Sequence, residues 1–502
     1  MNRQTGALEP RLAESWTSAD DGRRWTLTLR DGVQFSDGTP FTADDVVFTF
    51  QALYDPRVES PLAGNYEVDG QPFAARAVSP RVVEITFPVA IGRGLEVLDG
   101  LPILPRHALD AALRAGTFHD AWGPGTPPSQ LVGLGPFVLT EHVAGQYLRF
   151  ARNPHFWAHD ADGTPLPLLD GLELQVTPEQ NAEMIRLEAG QTDMPNDAIR
   201  AEDLAAFRQL ASQNRLRLVD AGVSLDADGL WFNLTPGTET AKVRPWLLKT
   251  EFRRAVSLAV SRDDIVKTIF LTAAVPVAGP VTPGHGDWFL SDLVPPHDPA
   301  EARRLLAGIG LVDRDGDGML DDARGRPVRF GILTMKGHSV RERTVAIIQS
   351  QLAAIGIRVD VETLDSDSLF PRYMSRAFDT IYFGFASDSL DPTGNANFWL
   401  SSGLYHAWNP NQAQPATDWE RAIDEHMNRL ATLLDHQARV REFAAVQRLF
   451  AEQQPIVYFA APRVTVATSS RVQGLTPSVL SPPVLWNAEH LSVAASGGAA
   501  GR

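Results

Sequence analysis

The 502-residue sequence contains no cysteine. That absence removes disulfide scaffolds, thiolate zinc sites, iron–sulfur clusters and thiol catalysis together. It also suits an oxidising compartment, where a free thiol is a liability. Nor is there an apolar run of about 18 residues, the length a membrane-crossing helix needs. Basic residues are in deficit. The 45 Lys+Arg against 61 Asp+Glu leave a formal charge of −16, which repels nucleic acid and anionic membrane surfaces. No phosphate loop, dinucleotide fingerprint or Gly-x-Ser-x-Gly elbow is present. The opening Met1-Asn2-Arg3-Gln4-Thr5-Gly6 has neither the basic region nor the apolar core of a secretory signal.

What remains is a chain with 44% hydrophobic residues, long enough for two or three packed domains. Strict alternation at Trp25-Thr26-Leu27-Thr28-Leu29 and over residues 81–87 predicts surface strands, and strands and loops dominate up to about residue 180. Thr42 followed three residues later by Asp45 is a helix start of the capping-box kind. Ser261 ahead of Asp264 and Asp298-Pro299-Ala300-Glu301 mark two more helix starts. In the second half, a strand over 328–334, a helix over 340–355 and a strand over 357–363 predict a parallel α/β unit. Helices follow over 419–434 and 440–453, a strand-like segment over 456–468, and a small-residue tail closes the chain.

Two groups of residues carry candidate chemistry. Asp313, Asp315 and Asp317 alternate ahead of Gly318, with Asp321 and Asp322 beyond, as in the first half of a calcium loop. The twelfth position, where a bidentate Glu should close the coordination sphere, is Arg324, so an Asp/Gly turn is the competing reading. The second group is aromatic. Eleven tryptophans, several beside turns, either anchor cores or line a ligand cleft. With no catalytic constellation beside them, these features favour binding over catalysis.

Several segments in order resemble the substrate-binding proteins of peptide, nickel and oligosaccharide ABC importers, known as solute-binding family 5. They are Leu8-Glu9-Pro10-Arg11-Leu12-Ala13-Glu14-Ser15-Trp16, residues 29–38 ending Phe35-Ser36-Asp37-Gly38, and Gly133-Leu134-Gly135-Pro136-Phe137. Arg152-Asn153-Pro154-His155-Phe156-Trp157, Phe252-Arg253-Arg254-Ala255-Val256 with its continuation to Arg262, and Pro455-Ile456-Val457-Tyr458 extend the match along nearly the whole chain.

The resemblance implies an α/β, two-lobed periplasmic-binding-protein fold, hinge-connected, with an extra β-rich subdomain in lobe I. Its divisions would be 1–165 for that subdomain, 166–250 for the lobe I core, 251–461 for lobe II, 462–492 for the return to lobe I, and 493–502 for a disordered tail. It implies a receptor that captures a peptide-like solute and hands it to a membrane ABC permease, a periplasmic or surface-tethered monomer with no nucleic-acid partner and no cofactor beyond a candidate calcium. An oligosaccharide receptor, a solute sensor and a two-lobed hydrolase are the alternatives. In relatives a signal and the first elements of lobe I precede Gly6-Ala7-Leu8-Glu9-Pro10. Met1 is therefore expected to be an internal methionine with an in-frame extension upstream.

For the ligand, Gly384-Phe385-Ala386-Ser387-Asp388-Ser389-Leu390-Asp391-Pro392 matches the family segment whose Asp pairs with a peptide α-ammonium, so Asp388 takes that role, with Phe385 where a Trp is usual. The strand carrying Gly229, Trp231 and Asn233 matches the one relatives lay along an extended ligand, offering backbone groups to it. Trp399 and Trp408 are candidates for stacking on a sugar ring, and Lys336 and Arg341 for a ligand carboxylate.

Overall fold

A computed structural model describes residues 1–494 except 20, 21, 69, 178, 386–388 and 481. Its first part is β-rich. Ala13–Ala19, Arg24–Leu29, Val82–Thr86 and Ala74–Ser79 form, in that spatial order, a four-stranded antiparallel sheet. The helix Ala43–Tyr54 lies against it, so that Phe35, Val83, Ile85 and Phe87 are fully buried. Its start obeys the local pattern. The Thr42 N–H donates to the Asp45 carboxylate at 2.9 Å, and the other Asp45 oxygen accepts from the Arg106 N–H. A separate three-stranded sheet follows from Phe137–Val143, Tyr147–Arg152 and Gly171–Gln175.

Two further sheets hold the rest. An antiparallel sheet orders Leu216–Val223, Ala460–Ser469 and Ala274–Pro276. A mixed five-stranded sheet orders Arg358–Leu364, Arg329–Met335, Thr380–Phe383, Gly229–Phe232 and Ile456–Tyr458. Within it, Arg329–Met335 runs parallel to both of its neighbours, and the helix Ser339–Ala353 makes the crossover expected from the sequence.

The chain first passes from the antiparallel to the five-stranded sheet at 224–228 and returns for the last time at Phe459, with Ala274–Pro276 as a visit back to the antiparallel sheet in between. Ser224 and Pro462 tie the crossings together, the Ser224 N–H donating to the Pro462 carbonyl at 2.8 Å. The outward crossing therefore precedes position 250, and Gly229–Phe232 shares a sheet with the later half of the chain.

Two buried arginines explain why the segment 252–262 reads so distinctively. Arg253 donates to the carbonyls of Leu247, Leu248, Gln453 and Gln454, and Arg262 to those of Ser257 and Val277. Burial pushes both guanidinium groups down to about 10, against which Glu251 and Glu420 act for Arg253, and carbonyl dipoles compensate both charges. Arg253 fastens the helix Thr250–Ala259 to the C-terminal end of the helix His436–Gln453, and Arg262 ties the start of Arg262–Thr268 to Val277 just beyond Ala274–Pro276.

Candidate functional site

All four residues of Gly229–Phe232 are buried, and strand alternation divides them. Leu230 and Phe232 enter the core beneath the helix Thr250–Ala259, while Trp231 points into an aromatic core on the opposite face. There its ring meets Phe385 at 4.8 Å, Phe383 at 5.7 Å and Tyr373 at 5.8 Å between centroids. Trp231 also borders a cavity of about 70 Å³, which Leu225, Ala227, Val281 and His285 bound on the crossing side and Pro392, Asn395, Phe398 and Trp399 on the other. The Trp231 Nε1 is buried and has no hydrogen-bond partner among the described residues. Trp231 lines the cavity with its ring, while the Nε1 itself is closed off from it in this arrangement.

The structure revises several expected ligand contacts. The strand Gly229–Phe232 is paired on both edges, with Thr380–Phe383 and with Ile456–Tyr458, so its backbone is not open to an added ligand strand. Gly229 serves packing, since a Cβ there would lie 2.5 Å from Ile456 Cγ2. Asn233 is fully buried and donates to the carbonyls of Arg376 and Phe378 at 3.0 and 2.9 Å. Trp408 is 0% exposed, its Nε1 donating to Glu420 Oε1 at 3.1 Å. Both are core residues, because their polar groups are already spent inside the protein. Trp399 borders the cavity, but its Nε1 donates to the Pro392 carbonyl at 2.9 Å. Phe385 is half-buried between Trp231 and Tyr405. Asp388 lies outside the described residues.

Charged groups near the cavity are paired. Arg341 presents its fork to Asp228 at 2.9 and 2.8 Å and lies over the Phe383 ring, so the cation expected for a ligand carboxylate already holds one. Asp391 accepts from Arg439 at 2.6 Å and Arg93 stands 3.8 Å away.

His285 is neutral at pH 7. Burial pushes its imidazole down to about 4, and its Nδ1 accepts from the Thr282 N–H at 3.1 Å. Burial pushes the Glu420 carboxyl up, yet hydrogen bonds from His406, Gln412 and Thr417 outweigh that and hold it below the usual range.

The residues that sequence reasoning missed here, Leu225, Val281, His285 and Asn395, carry no local motif beyond the Thr282-Pro283 helix start.

In the acidic loop, carboxylate oxygens of Asp313, Asp315 and Asp317 lie within 4.8 Å of one another and are exposed. They also shape the turn. Asp313 accepts from the N–H groups of Gly316 and Gly318, and Asp317 from Met319. Asp321 is buried and accepts from the Arg314 N–H.

A family model described as bacterial extracellular solute-binding proteins, family 5 Middle, matches residues 7–406, and the chain belongs to that family. It is 26% identical over 499 residues to a probable ABC transporter-binding protein of Deinococcus radiodurans, spanning 94% of this chain and 83% of that one. It is 28% identical over 491 residues to di/tripeptide-binding protein 2 of Pseudomonas aeruginosa, spanning 94% and 84%. The oligopeptide-binding protein AppA of Bacillus subtilis, solved with a nonapeptide, has the same fold with a TM-score of 0.75 at 24% identity, over 97% of this chain and 90% of that one. The fold is the α/β, two-lobed one of periplasmic binding proteins.

Proposed function

We propose that this protein is the solute-capturing component of an ABC importer and takes a small peptide-like solute between its lobes, with one side chain of it entering the cavity beside Trp231. The observation that carries this reading is the aromatic cavity wall at Trp231, whose buried Nε1 has no partner among the described residues, at the point where the chain passes from one sheet to the other. A peptide supplies what that wall lacks, carbonyl acceptors for the indole N–H and apolar side chains for the rings. The likeness to a di/tripeptide-binding protein supports the same class.

Capture works by binding alone. Asp228 and Asp391 are each paired with an arginine, and the cavity lining holds a single carboxylate, Asp226, among the described residues, with no second one facing it for paired acid–base work. A ligand touching both lobes favours their closed arrangement, which a membrane permease then recognises. The protein acts as a monomer in the periplasm or tethered at the cell surface, and this reading calls for no cofactor.

The test is a thermal-shift screen of di- to hexapeptides beside β-glucan oligosaccharides. Stabilisation by short peptides is the expected result. Stabilisation by the oligosaccharides alone overturns the peptide reading in favour of a sugar receptor.

A further inference from the structure

Segment 92–96 of the β-rich first part meets the second lobe outside the chain crossings. The Gly92 N–H donates to the Ala431 carbonyl at 2.8 Å, and a Cβ on Gly92 would run into the Leu433 carbonyl. Beside this contact, Arg93 Nη2 donates to Ser389 Oγ at 3.2 Å and its Nε stands 3.8 Å from Asp391 Oδ2. That carboxylate is held from its own side by Arg439 at 2.6 Å, and the same Arg439 nitrogen donates to Thr393 Oγ1 at 2.7 Å.

A glycine makes room for the incoming guanidinium, since a Cβ on Gly394 would lie 2.4 Å from Arg93 Nη1. The buried Nε atoms of Arg93 and Arg439 have no hydrogen-bond partner among the described residues, so one carboxylate serves two cations across the seam. The segment that receives Arg93 is also a wall of the cavity, through Pro392, Asn395, Phe398 and Trp399.

We propose that Arg93 is the closure residue of this receptor, seated on Gly394 and held by Ser389 and Asp391 only when the lobes are together. A solute resting on Pro392 and Asn395 sets the position of Asp391, and Arg93 completes the closed state from the other lobe. Opening strips Arg93 of both partners and returns it to water, while Asp391 keeps Arg439. Closure therefore gains a charge-assisted contact without leaving a buried charge unpaired on opening.

The test uses the full chain with one dye on each lobe, which is simple because the sequence has no cysteine of its own. Single-molecule energy transfer then reads the closed-to-open ratio, first without ligand and then with trialanine. In Arg93→Gln the ratio is expected to fall about tenfold, the scale of one charge-assisted contact, and Arg93→Lys should recover part of it. Gly394→Ala evicts the guanidinium while leaving the charge in place, and should give a similar fall with an unchanged melting temperature.

Ratios within twofold of the parent protein in both Arg93→Gln and Gly394→Ala overturn the proposal. The ligand-free measurement stands whether or not trialanine binds, so a failure of the peptide reading is distinguishable from a failure of the latch.

Discussion

Trp231 and Trp408 belong to the same aromatic core beneath the five-stranded sheet, yet their surroundings differ in one respect that decides their roles. Around Trp408 every polar demand is met. Its indole N–H, the His406 ring and Gln412 converge on the Glu420 carboxylate, and Trp419 stacks on it at 6.0 Å. Around Trp231 the packing is equally aromatic, but the indole N–H is left over and a cavity begins beside it. Burial alone does not separate a structural tryptophan from a binding one, since both are nearly inaccessible. The unsatisfied donor does.

The contrast can be broken most forcefully at Trp408. Trp408→Ala should cost about 3–5 kcal/mol of unfolding free energy, through lost packing and a stranded Glu420. Denaturant titration reads this, and a variant that kept full stability while losing ligand would reverse the assignment.

A smaller effect comes from pH. His285, on the cavity wall, has a folded pKa of about 4 against an ordinary 6.5. Between those values the unfolded chain binds the extra proton. The contribution is therefore fully present above pH 6.5 and shrinks as pH falls towards 4, by up to about 3 kcal/mol. His285→Gln should flatten that part of the stability-against-pH curve, and an unchanged slope would show that the imidazole is not held neutral.

The smallest effect is expected at Trp231→Phe, which keeps a ring and removes the N–H. Stability should stay within about 1 kcal/mol, while affinity for a stabilising peptide falls roughly three- to tenfold, the value of one neutral hydrogen bond. Isothermal titration measures the affinity. A large stability loss with unchanged affinity would make Trp231 a second Trp408.

Much of the local architecture was legible in advance. The helix starts at Thr42, Ser261 and Asp298 are present with their caps, the last two accepting from the N–H groups of Asp264 and Glu301. The parallel unit around Ser339–Ala353 is likewise present. The candidate site was legible only in part. Trp231, Phe385 and Trp399 do border the cavity, but Gly229 and Asn233, singled out by their place in a matching strand, and Trp408, singled out as an aromatic beyond a matching segment, are each committed to internal packing or hydrogen bonding. A motif records that a residue type is needed at a place. It does not say whether its polar atoms face a ligand or a neighbouring carbonyl.

The sequence by itself determined where helices begin, which strands alternate and which family the chain resembles, because caps, periodicity and motif order depend on residues a few positions apart. Only the tertiary structure decided that the chain crosses between sheets at 224–228, that the Trp231 N–H is left over, and that Arg93 reaches Ser389 across 296 positions of sequence. Those outcomes depend on which distant groups share a small volume once water is excluded, and no local spacing encodes that.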